Sequence, residues 1–472
     1  MPGIILLSVL GFVLVMLIIM TYYLRSVARQ FEADDEAGME VEKKKIGISS
    51  SQTFVYTAII LVSVAMIAAL YIYVKGTPWE AHLMEWLNII IRLMHITFGI
   101  AWIGASFYFV FLENALNRTN NVRDELAGNL WAIHGGGFYY LEKYKVAPKT
   151  IPKHLHWFKY EAYFTWISGF CLLFVVYYFN ASALLIDKNV LDITPLTGIA
   201  IGVGSFIVAW VLYDLLCKTA LIKKGIWFAL IGFVIATGFA FFYSQVFSGR
   251  AAYIHFGSMI GSIMVANVFF VIIPAQKAMV KAAREGLPLN PQLGKNALSR
   301  SIHNNYFTLP VLFVMISNHF PTTFGYENPW LILIIISVGT AGVKHYLNLR
   351  EKGQLSVWVM PVSVVILLAG AFISAPPKDP GACNTKIEFS EVNAIIQSRC
   401  VSCHSSKPTD DVYKAPPNGV MYDTPDDITK KKDLIMQRVV VTKTMPQNNK
   451  TNMTEKERDL IRCWIEQGAI VK

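Results

Sequence analysis

The sequence predicts an all-α protein in two parts, a polytopic bundle of about eight to ten transmembrane helices followed by a small polar helical domain. Hydrophobic residues make up 54% of the 472 residues, and charged residues make up only 16%. Soluble domains carry about 25% charged residues, so this composition excludes a wholly soluble protein. Long uncharged runs recur until the chain becomes polar near its C-terminus. We therefore assign 1–375 to a transmembrane domain and 376–472 to a second domain outside the membrane.

A helix needs about 20 apolar residues to cross the hydrocarbon core of a bilayer. Ten runs approach or reach this length, at about 3–24, 54–74, 86–112, 161–179, 196–217, 225–246, 256–275, 305–319, 330–347 and 356–375. The first run continues to Tyr22 and Tyr23 without a small-residue cleavage site. We therefore interpret it as a retained helix rather than as a signal peptide.

Basic residues are concentrated in alternate loops between these spans. The loop 113–160 holds seven lysines and arginines, whereas the loop 319–329 holds none. Because basic loops face the cytoplasm, this alternation predicts a multi-pass protein of the bacterial inner membrane with its C-terminal domain in the periplasm. The same loops account for the net charge of +10, so we expect lipid contact and no nucleic-acid partner.

The C-terminal domain contains the sequence Cys400-Val-Ser-Cys403-His404. This C-x-x-C-H spacing is the attachment signal of a c-type haem. Two thiols three residues apart reach the two vinyl groups of one porphyrin, and the following histidine is the proximal iron ligand. The alternatives for so short a pattern are a chance match and a zinc or redox C-x-x-C site.

The surroundings of this motif favour haem. A short helix is expected over 389–399, directly before the motif, and a closing helix over 454–468, where Thr454 caps and Glu457 stands at capping-box spacing. Met445-Pro446 places a thioether in a segment that cannot continue a helix. This order resembles a small class I cytochrome c.

The resemblance to cytochrome c implies one covalent haem c, bound by Cys400, Cys403 and His404, with Met445 as the second iron ligand. Rival axial ligands are Met421, Met436 and Met453. Two further cysteines, Cys383 and Cys463, precede the first and lie on the last of these helices, so a disulfide and two free thiols are both open.

Polar residues inside membrane spans are costly, and each is therefore a functional candidate. Arg92 and His95 are three residues apart and share a helix face. His95, His255 and His319 are expected at similar depth, on the side of the C-terminal domain. Three interpretations of these residues are open. The histidines make local hydrogen bonds, or they ligate haem b or another metal, or they and Arg92 form a site that binds an anion and moves its protons.

Two stretches carry a family resemblance, MHITFGIAWIGASFYFVFLENAL at 94–116 and HNNYFTLPVLFVMISNHFP at 303–321. They resemble the PuuD-type membrane-bound urate oxidases, also called urate hydroxylases. These proteins join a membrane bundle, usually described with eight helices, to a C-terminal cytochrome c domain. The histidine pattern around His95 is also similar to membrane haem-dependent protoporphyrinogen oxidases and copper-resistance proteins, where that histidine is a haem or metal candidate.

The resemblance implies a urate:cytochrome c oxidoreductase. Urate would be oxidised to 5-hydroxyisourate, and the electrons would pass through haem c to a soluble cytochrome c or a terminal oxidase without forming hydrogen peroxide. Arg92, His95, His255 and His319 are the catalytic candidates. Arg92 or Arg250 would pair with the urate anion, His95 or His255 would take a proton, and Tyr108 or Trp102 would stack on the purine.

Two other functions remain open from the residues alone. One is a quinol or other small-molecule dehydrogenase that reduces the same haem. The other is a transporter or assembly factor that carries a tethered cytochrome.

Overall fold

The computed structural model describes residues 69, 72–74, 76–148, 150–152, 155–375 and 381–471. The chain forms two compact units, Met1–Trp86 with Pro152–Leu155, and Leu87–Ile151 with His156–Lys472. The predicted span 3–24 and most of the predicted span 54–74 lie outside the described residues.

In the first unit, the described chain turns at Gly76, whose φ is 77°, before the helix α1 (Pro78–Ala115) begins. The Gly76 N–H donates to Glu80 Oε2 at 2.6 Å, and Thr77 Oγ1 donates to Val74 O at 2.5 Å. These bonds hold the turn that leads into the helix. Glu80 lies in the first turn, where a negative charge complements the helix dipole.

Among the described residues, six helices are long and apolar enough to cross a membrane. They are His82–Ala115, Tyr160–Tyr178, Pro195–Lys218, Gly225–Val246, Gly249–Arg284 and Pro329–Glu351, and each coincides with a predicted span. The predicted span 356–375 corresponds to a shorter apolar helix, Val359–Ile373. The predicted span 305–319 lies mostly in the helix Pro291–Ile316, whose first half carries Lys295, Arg300 and His303 and is too polar for that group.

The elements of this apolar part after α1 are β1 (Leu126–His134), β2 (Gly137–Tyr144), α2 (Tyr160–Leu172), α3 (Pro195–Lys218), α4 (Gly225–Val246), α5 (Gly249–Ala266), α6 (Ile273–Arg284), α7 (Pro291–Ile316), α8 (Pro321–Phe324), α9 (Pro329–Glu351) and α10 (Val359–Ile373). Segments of π-helix continue α2 over Leu173–Tyr178, form the turn Ala181–Leu185, and join α5 to α6 over Asn267–Ile272.

Helix α5 lies at the centre of the bundle and contacts α2, α3, α4, α7 and α9. Its residues Tyr253, His255 and Phe256 are at most 1% exposed. Lipid tails are as apolar as leucine, so membrane helices associate through close packing rather than through removal of water. Gly257 shows this close approach, because a Cβ there would lie 2.9 Å from Val314 Cβ on α7.

The loop 113–160 contains a β-hairpin that the all-α expectation did not include. Strands β1 and β2 pair antiparallel, with His134 opposite Gly137. Gly135 and Gly136 form the two-residue turn with φ of 58° and 80°, a conformation that suits glycine and matches the strand twist. The glycine run is therefore a turn signal.

The C-terminal segment from Gly381 to Val471, hereafter the tail, has its own hydrophobic core around Val392, Ile396, Ile461 and Trp464. Its helices are α11 (Phe389–Arg399), α12 (Pro425–Lys430), α13 (Lys432–Ile435) and α14 (Glu455–Glu466), with a π-helical segment over Met436–Val441.

Both tail helices expected from the sequence are present. The capping box of α14 is also confirmed, because Thr454 accepts from the Glu457 N–H and the Glu457 side chain accepts from the Thr454 N–H. Cys383 and Cys463 form a disulfide with a Cα–Cα distance of 5.3 Å, which decides between the two alternatives left open by the sequence. This bond joins the start of the tail to its last helix.

Candidate functional site

The C-x-x-C-H motif forms a tight turn at the end of α11. The N–H groups of Cys403 and His404 donate to Cys400 O at 3.2 and 2.9 Å. The His404 Nδ1 is 2.9 Å from Val420 O, so Nδ1 carries the proton and donates it to that carbonyl. This bond fixes the ring and leaves Nε2 as the free ligand atom, the arrangement seen at metal-ligating histidines.

The two motif cysteines are free thiols, and both are half-buried. Burial raises the pKa of the Cys400 thiol to about 12, and it also raises the pKa of the Cys403 thiol. Redox-active C-x-x-C sites instead lower the pKa of the attacking thiol. The motif thiols therefore lack the lowered pKa of a redox-active C-x-x-C site.

Met445 lies at the edge of the same core as Cys400. Its N–H donates to Arg438 O at 3.0 Å, and its carbonyl accepts from Arg458 Nη1 at 2.7 Å. Of the rival thioethers, Met453 is 3% exposed within the core and Met421 is 37% exposed. Met453 is held by backbone bonds as well, because its N–H donates to Asn449 Oδ1 at 2.9 Å and its carbonyl accepts from Asn449 Nδ2 at 3.0 Å. The role of Met445 as an iron ligand stays a prediction.

The turn that follows Met445 rests on the helix bundle. We call Gln447–Asn449 the docking turn. Gln447 Nε2 donates to Ala183 O at 2.6 Å, and Asn448 Nδ2 donates to Ala183 O at 2.9 Å and to Ile186 O at 2.7 Å. Asn189 Nδ2 donates back to Asn448 O at 3.1 Å. The loop that carries Met445 is therefore fixed against the bundle.

A second contact brings the tail close to the bundle at Gly325, directly after α8. A Cβ on Gly325 would lie 2.6 Å from Thr442 O and 2.9 Å from Thr444 Cγ2. Only glycine leaves room for this approach. The two contacts define one end of the bundle, the contact end, where helices meet the tail.

Arg250 stands at this contact end, in the first turn of α5. Its Nε donates to Asn318 Oδ1 at 2.8 Å, and Tyr177 Oη donates to the same oxygen at 3.2 Å. The guanidinium carbon lies 5.9 Å from the centre of the Tyr177 ring. Arg250, Tyr177 and Asn318 thus form one connected group from three different segments.

Two more arginines lie within electrostatic range of Arg250. One is Arg92 of α1, and the other is Arg438 of the tail. The tail also contributes Tyr413, which interacts with the charge of Arg250 and whose hydroxyl donates to Gln447 Oε1 at 2.6 Å. We call Arg92, Arg250 and Arg438 the arginine cluster.

No carboxylate neutralises the arginine cluster among the described residues. Arg92 donates to Asn88 Oδ1 at 3.0 and 3.3 Å, and none of the ion pairs in the described part of the chain includes any of the three arginines. Uncompensated like charges repel one another. The cluster therefore has the electrostatics of an anion-binding site.

The three predicted membrane histidines occupy different environments. His255 is fully buried, with Nδ1 2.8 Å from Ala251 O and Nε2 3.1 Å from Tyr178 Oη, so both ring nitrogens are used. His95 is half-buried, and its Nδ1 lies 3.0 Å from Thr165 O and 3.2 Å from Ser168 Oγ. His319 is exposed in the short turn Ser317–His319.

The described residues do not converge into a metal site of three or more His, Cys, Asp or Glu side chains. The His95 Nε2 makes no hydrogen bond with the described residues, and its Nδ1 is oriented by a carbonyl. The two aromatics considered for purine stacking lie elsewhere: Tyr108 is 49% exposed, and Trp102 packs against the hydrophobic core.

The opposite end of the bundle holds a different polar site. Arg300 Nη2 and Lys218 Nζ each lie 2.6 Å from a carboxylate oxygen of Asp214, and Arg300 Nη1 donates to Asn267 Oδ1 at 3.1 Å. A cavity of about 720 Å³ opens beside them, lined in part by Trp210 and Phe270. At 1.5 Å per helical residue, this site is about 30 Å along α3 from the contact end.

The comparison with known families decides the relationship of the bundle. The model of the family described as urate oxidase N-terminal matches residues 81–375, more than half of the chain. This protein belongs to the urate oxidase N-terminal family. The match supports an enzyme that acts on urate, and it includes Arg92, His95, Arg250, His255 and His319. No curated protein and no solved structure matches the chain.

The family match ends at residue 375. The tail lies outside the matched region. Sequence reasoning identified Arg92 and Arg250 but missed Arg438, Tyr413 and Asn318. Arg438 and Tyr413 carry no signal in the sequence, because only the docking of the tail brings them to Arg250. Asn318 belongs to the bundle and lies inside the predicted span 305–319, where a polar side chain indicates a functional candidate.

Proposed function

We propose that this protein is a membrane-bound urate oxidoreductase that oxidises urate to 5-hydroxyisourate and passes the electrons to a haem c attached to its own tail. One observation carries this proposal. The bundle that belongs to a urate oxidase family receives, at its contact end, the loop that follows Met445 of a C-x-x-C-H domain. Substrate chemistry and electron acceptance are thereby joined in one chain.

The proposed reaction balances with water as the oxygen source. Urate gives up two electrons and two protons, and one oxygen from water forms the new bond at C5. The electrons leave singly, so each urate molecule requires two one-electron transfers. Oxygen is not a reactant in this scheme, and hydrogen peroxide is not a product.

The tail residues fit the haem that the motif implies. Cys400 and Cys403 would form the two thioether bonds, His404 would bind the iron through Nε2, and Met445 would supply the second ligand. The haem would supply one-electron chemistry, and His/Met ligation favours a high reduction potential. Val420 holds the His404 ring in its orientation through the Nδ1 bond.

The bundle residues have roles in substrate binding and proton transfer. The arginine cluster would bind the urate anion through charge-assisted hydrogen bonds. His95 is the better candidate for accepting a proton, because both ring nitrogens of His255 are already bonded. If the bundle also holds a haem b or another metal, His95 Nε2 is available to bind it, because Nδ1 is oriented by a carbonyl. His319, exposed at the contact end, is retained as a candidate.

The proposed location follows from the loop charges and the six apolar helices. The bundle would lie in the bacterial inner membrane in contact with lipid, with the tail in the periplasm. Covalent haem c and the Cys383–Cys463 disulfide both suit an oxidising compartment. A soluble cytochrome c or a terminal oxidase would then accept the electrons.

The direct test is anaerobic reduction of the haem by urate. The full-length protein would be purified in detergent, oxidised and mixed with urate without oxygen, while the haem spectrum and the urate concentration are followed. We expect prompt reduction, with one urate consumed for every two haems reduced. A haem that dithionite reduces but urate does not would contradict the proposal.

The same experiment tests the second candidate function. That second candidate is a quinol dehydrogenase that would reduce the same haem. Reduction of the haem by a quinol analogue but not by urate would favour a quinol dehydrogenase.

A further inference from the structure

We infer that the substrate site is composite: the tail contributes Arg438 to a binding site for a planar purine anion whose other residues, Arg92 and Arg250, belong to the bundle. This inference rests on the proposed function and extends it, because the bundle alone would then hold an incomplete site. The tail would be part of the substrate site as well as the carrier of the haem.

Asn318 has a hydrogen-bond donor beside Arg250 that the described residues leave unused. Its Oδ1 accepts from Arg250 Nε at 2.8 Å and from Tyr177 Oη at 3.2 Å. Arginine can only donate, so the oxygen must face Arg250 and the amide orientation is fixed. Asn318 Nδ2 then has no hydrogen-bond partner among the described residues. A purine carbonyl oxygen is an acceptor that suits this free donor.

The arginine cluster carries positive charge that no described carboxylate neutralises. Folding gathers three guanidinium groups, and the described residues provide no carboxylate beside them. Like charges within electrostatic range repel one another. An anion placed among these groups would relieve the repulsion. Guanidinium groups also present planar pairs of donors that match a flat anion with several oxygens.

The bundle and the tail each contribute a tyrosine ring close to the arginine cluster. Tyr177 of the bundle is 3% exposed and lies under the Arg250 guanidinium. Tyr413 of the tail is held toward the bundle by its bond to Gln447 of the docking turn. Planar purines bind well against aromatic and guanidinium faces. The described site thus combines cations, an amide donor and aromatic rings.

The position of Arg438 also connects substrate and haem. Its backbone carbonyl accepts from the Met445 N–H at 3.0 Å, so this residue holds the loop that would ligate the iron. Its side-chain charge reaches Arg250. A substrate bound by Arg438 would therefore lie next to the loop through which its electrons leave.

The cavity at the opposite end is a weaker candidate for the anion. Its arginine, Arg300, is already neutralised by Asp214 at 2.6 Å. An anion there would have to compete with a carboxylate that is built into the fold. It would also lie about 30 Å from the tail.

The test measures urate binding without turnover. The full-length holoprotein is reduced with dithionite, desalted without oxygen, and equilibrated with radiolabelled urate in a dialysis cell. The reduced haem cannot accept electrons, so the bound urate stays intact. The variants are Arg438→Gln and Arg250→Gln, with Lys456→Gln as a matched loss of one exposed positive charge from the tail.

We expect the Kd for urate to rise at least about tenfold in each arginine variant, as the loss of one charge-assisted hydrogen bond implies. The Lys456→Gln variant should stay within about twofold of the unchanged protein. The haem spectrum of each variant shows whether the tail has folded. If Arg438→Gln loses its haem, Arg438→Lys replaces it, with severalfold weaker binding expected because the paired donors are lost.

Two results would overturn the inference in different ways. Unchanged urate binding in the Arg438 variants, together with weaker binding in Arg250→Gln, would place the site wholly in the bundle and leave the proposed function standing. Absence of urate binding by the unaltered protein would overturn the inference and the proposed function together.

Discussion

The two ends of the helix bundle both contain a buried or half-buried arginine, but only one of these arginines is paired with a carboxylate of the described residues. At the opposite end, Arg300 is 5% exposed and is paired with Asp214 and bonded to Asn267. At the contact end, Arg250 is bonded to a neutral amide and faces two further arginines. A neutralised arginine serves the fold, whereas a group of uncompensated arginines needs a ligand.

The largest expected effect is the loss of urate turnover when Arg250 at the contact end is replaced. Arg250→Gln removes a guanidinium that has no carboxylate partner, so the fold loses little while the substrate anion loses a contact. We expect kcat/KM for urate to fall at least about 100-fold, with the thermal midpoint in detergent nearly unchanged. Anaerobic haem reduction at a series of urate concentrations measures the first quantity.

Lys188→Gln is the control for this variant. Lys188 is an exposed cation close to the segment that receives the docking turn, and it pairs only weakly with Asp192 at 3.7 Å. Equal losses of activity in both variants would mean that the general positive potential, and not Arg250 itself, attracts the substrate.

A substitution at the opposite end should lower the stability of the protein and leave urate binding unchanged. Arg300→Gln leaves Asp214 with Lys218 alone and breaks the bond to Asn267. Breaking a buried ion pair typically costs about 3–5 kcal/mol, and the remaining lysine should reduce this cost to about 2 kcal/mol. The thermal midpoint in detergent should drop, while the KM for urate of the folded fraction stays the same. A large increase in KM would move substrate binding to this end.

The tail offers a third, fully neutralised charge for comparison. Asp410 is buried and accepts from Lys450 Nζ at 2.6 Å and from the N–H groups of Val412 and Tyr413. These bonds lower the pKa of Asp410 to about 2. An unfolded aspartate has a pKa of about 3.9, so this group contributes about 2 kcal/mol above that pH. The contribution is lost as the pH falls from about 4 toward 2.

The measurement is denaturant unfolding of the tail, followed by the haem spectrum at pH 6 and at progressively lower pH. Asp410→Asn should lower the stability at pH 6 and flatten the dependence on acid. Asp411→Asn is the matched control, because its side chain is 77% exposed although it contacts the same lysine. Identical behaviour of both variants would show that Lys450, and not burial of Asp410, produces the effect.

The smallest expected effect concerns the docking turn. Asn448→Asp keeps a residue that tolerates the φ of 50° but replaces the amide donor with an acceptor facing two carbonyls. We expect urate-dependent haem reduction to slow about threefold to tenfold while the haem spectrum stays intact. Asn418→Asp, with a φ of 54° and an exposed side chain, is the control. An unchanged rate would mean that electron transfer does not depend on this contact.

Local patterns let the sequence predict most elements of this protein. The long apolar runs matched the apolar helices, and the Thr454–Glu457 spacing predicted the start of α14, because both signals depend only on neighbouring residues. The β-hairpin was not predicted, although Gly135 and Gly136 are typical of its two-residue turn. The expected helix count depends in part on spans that lie outside the described residues.

The candidate site was predictable only in part, for a physical reason. Arg92 is conspicuous because a charge inside an apolar run is costly. Asn318 lies in the predicted span 305–319, so the same cost marks it as a candidate. Arg438 belongs to a polar stretch, where arginine is ordinary, and it matters only because the tail and the helices meet. Contacts between residues far apart in the chain leave no trace in one sequence.

The docking turn contacts the bundle through neutral groups, and this affects how the rate of electron transfer should depend on salt. A soluble electron carrier must find its partner by diffusion and commonly relies on charge attraction, which salt screens. In the proposed function the carrier is covalently joined to the enzyme, so its effective concentration would be high and a few amide–carbonyl bonds would be enough to hold it in place. Transfer within the molecule should therefore be insensitive to ionic strength, and only delivery to the external acceptor should slow in salt.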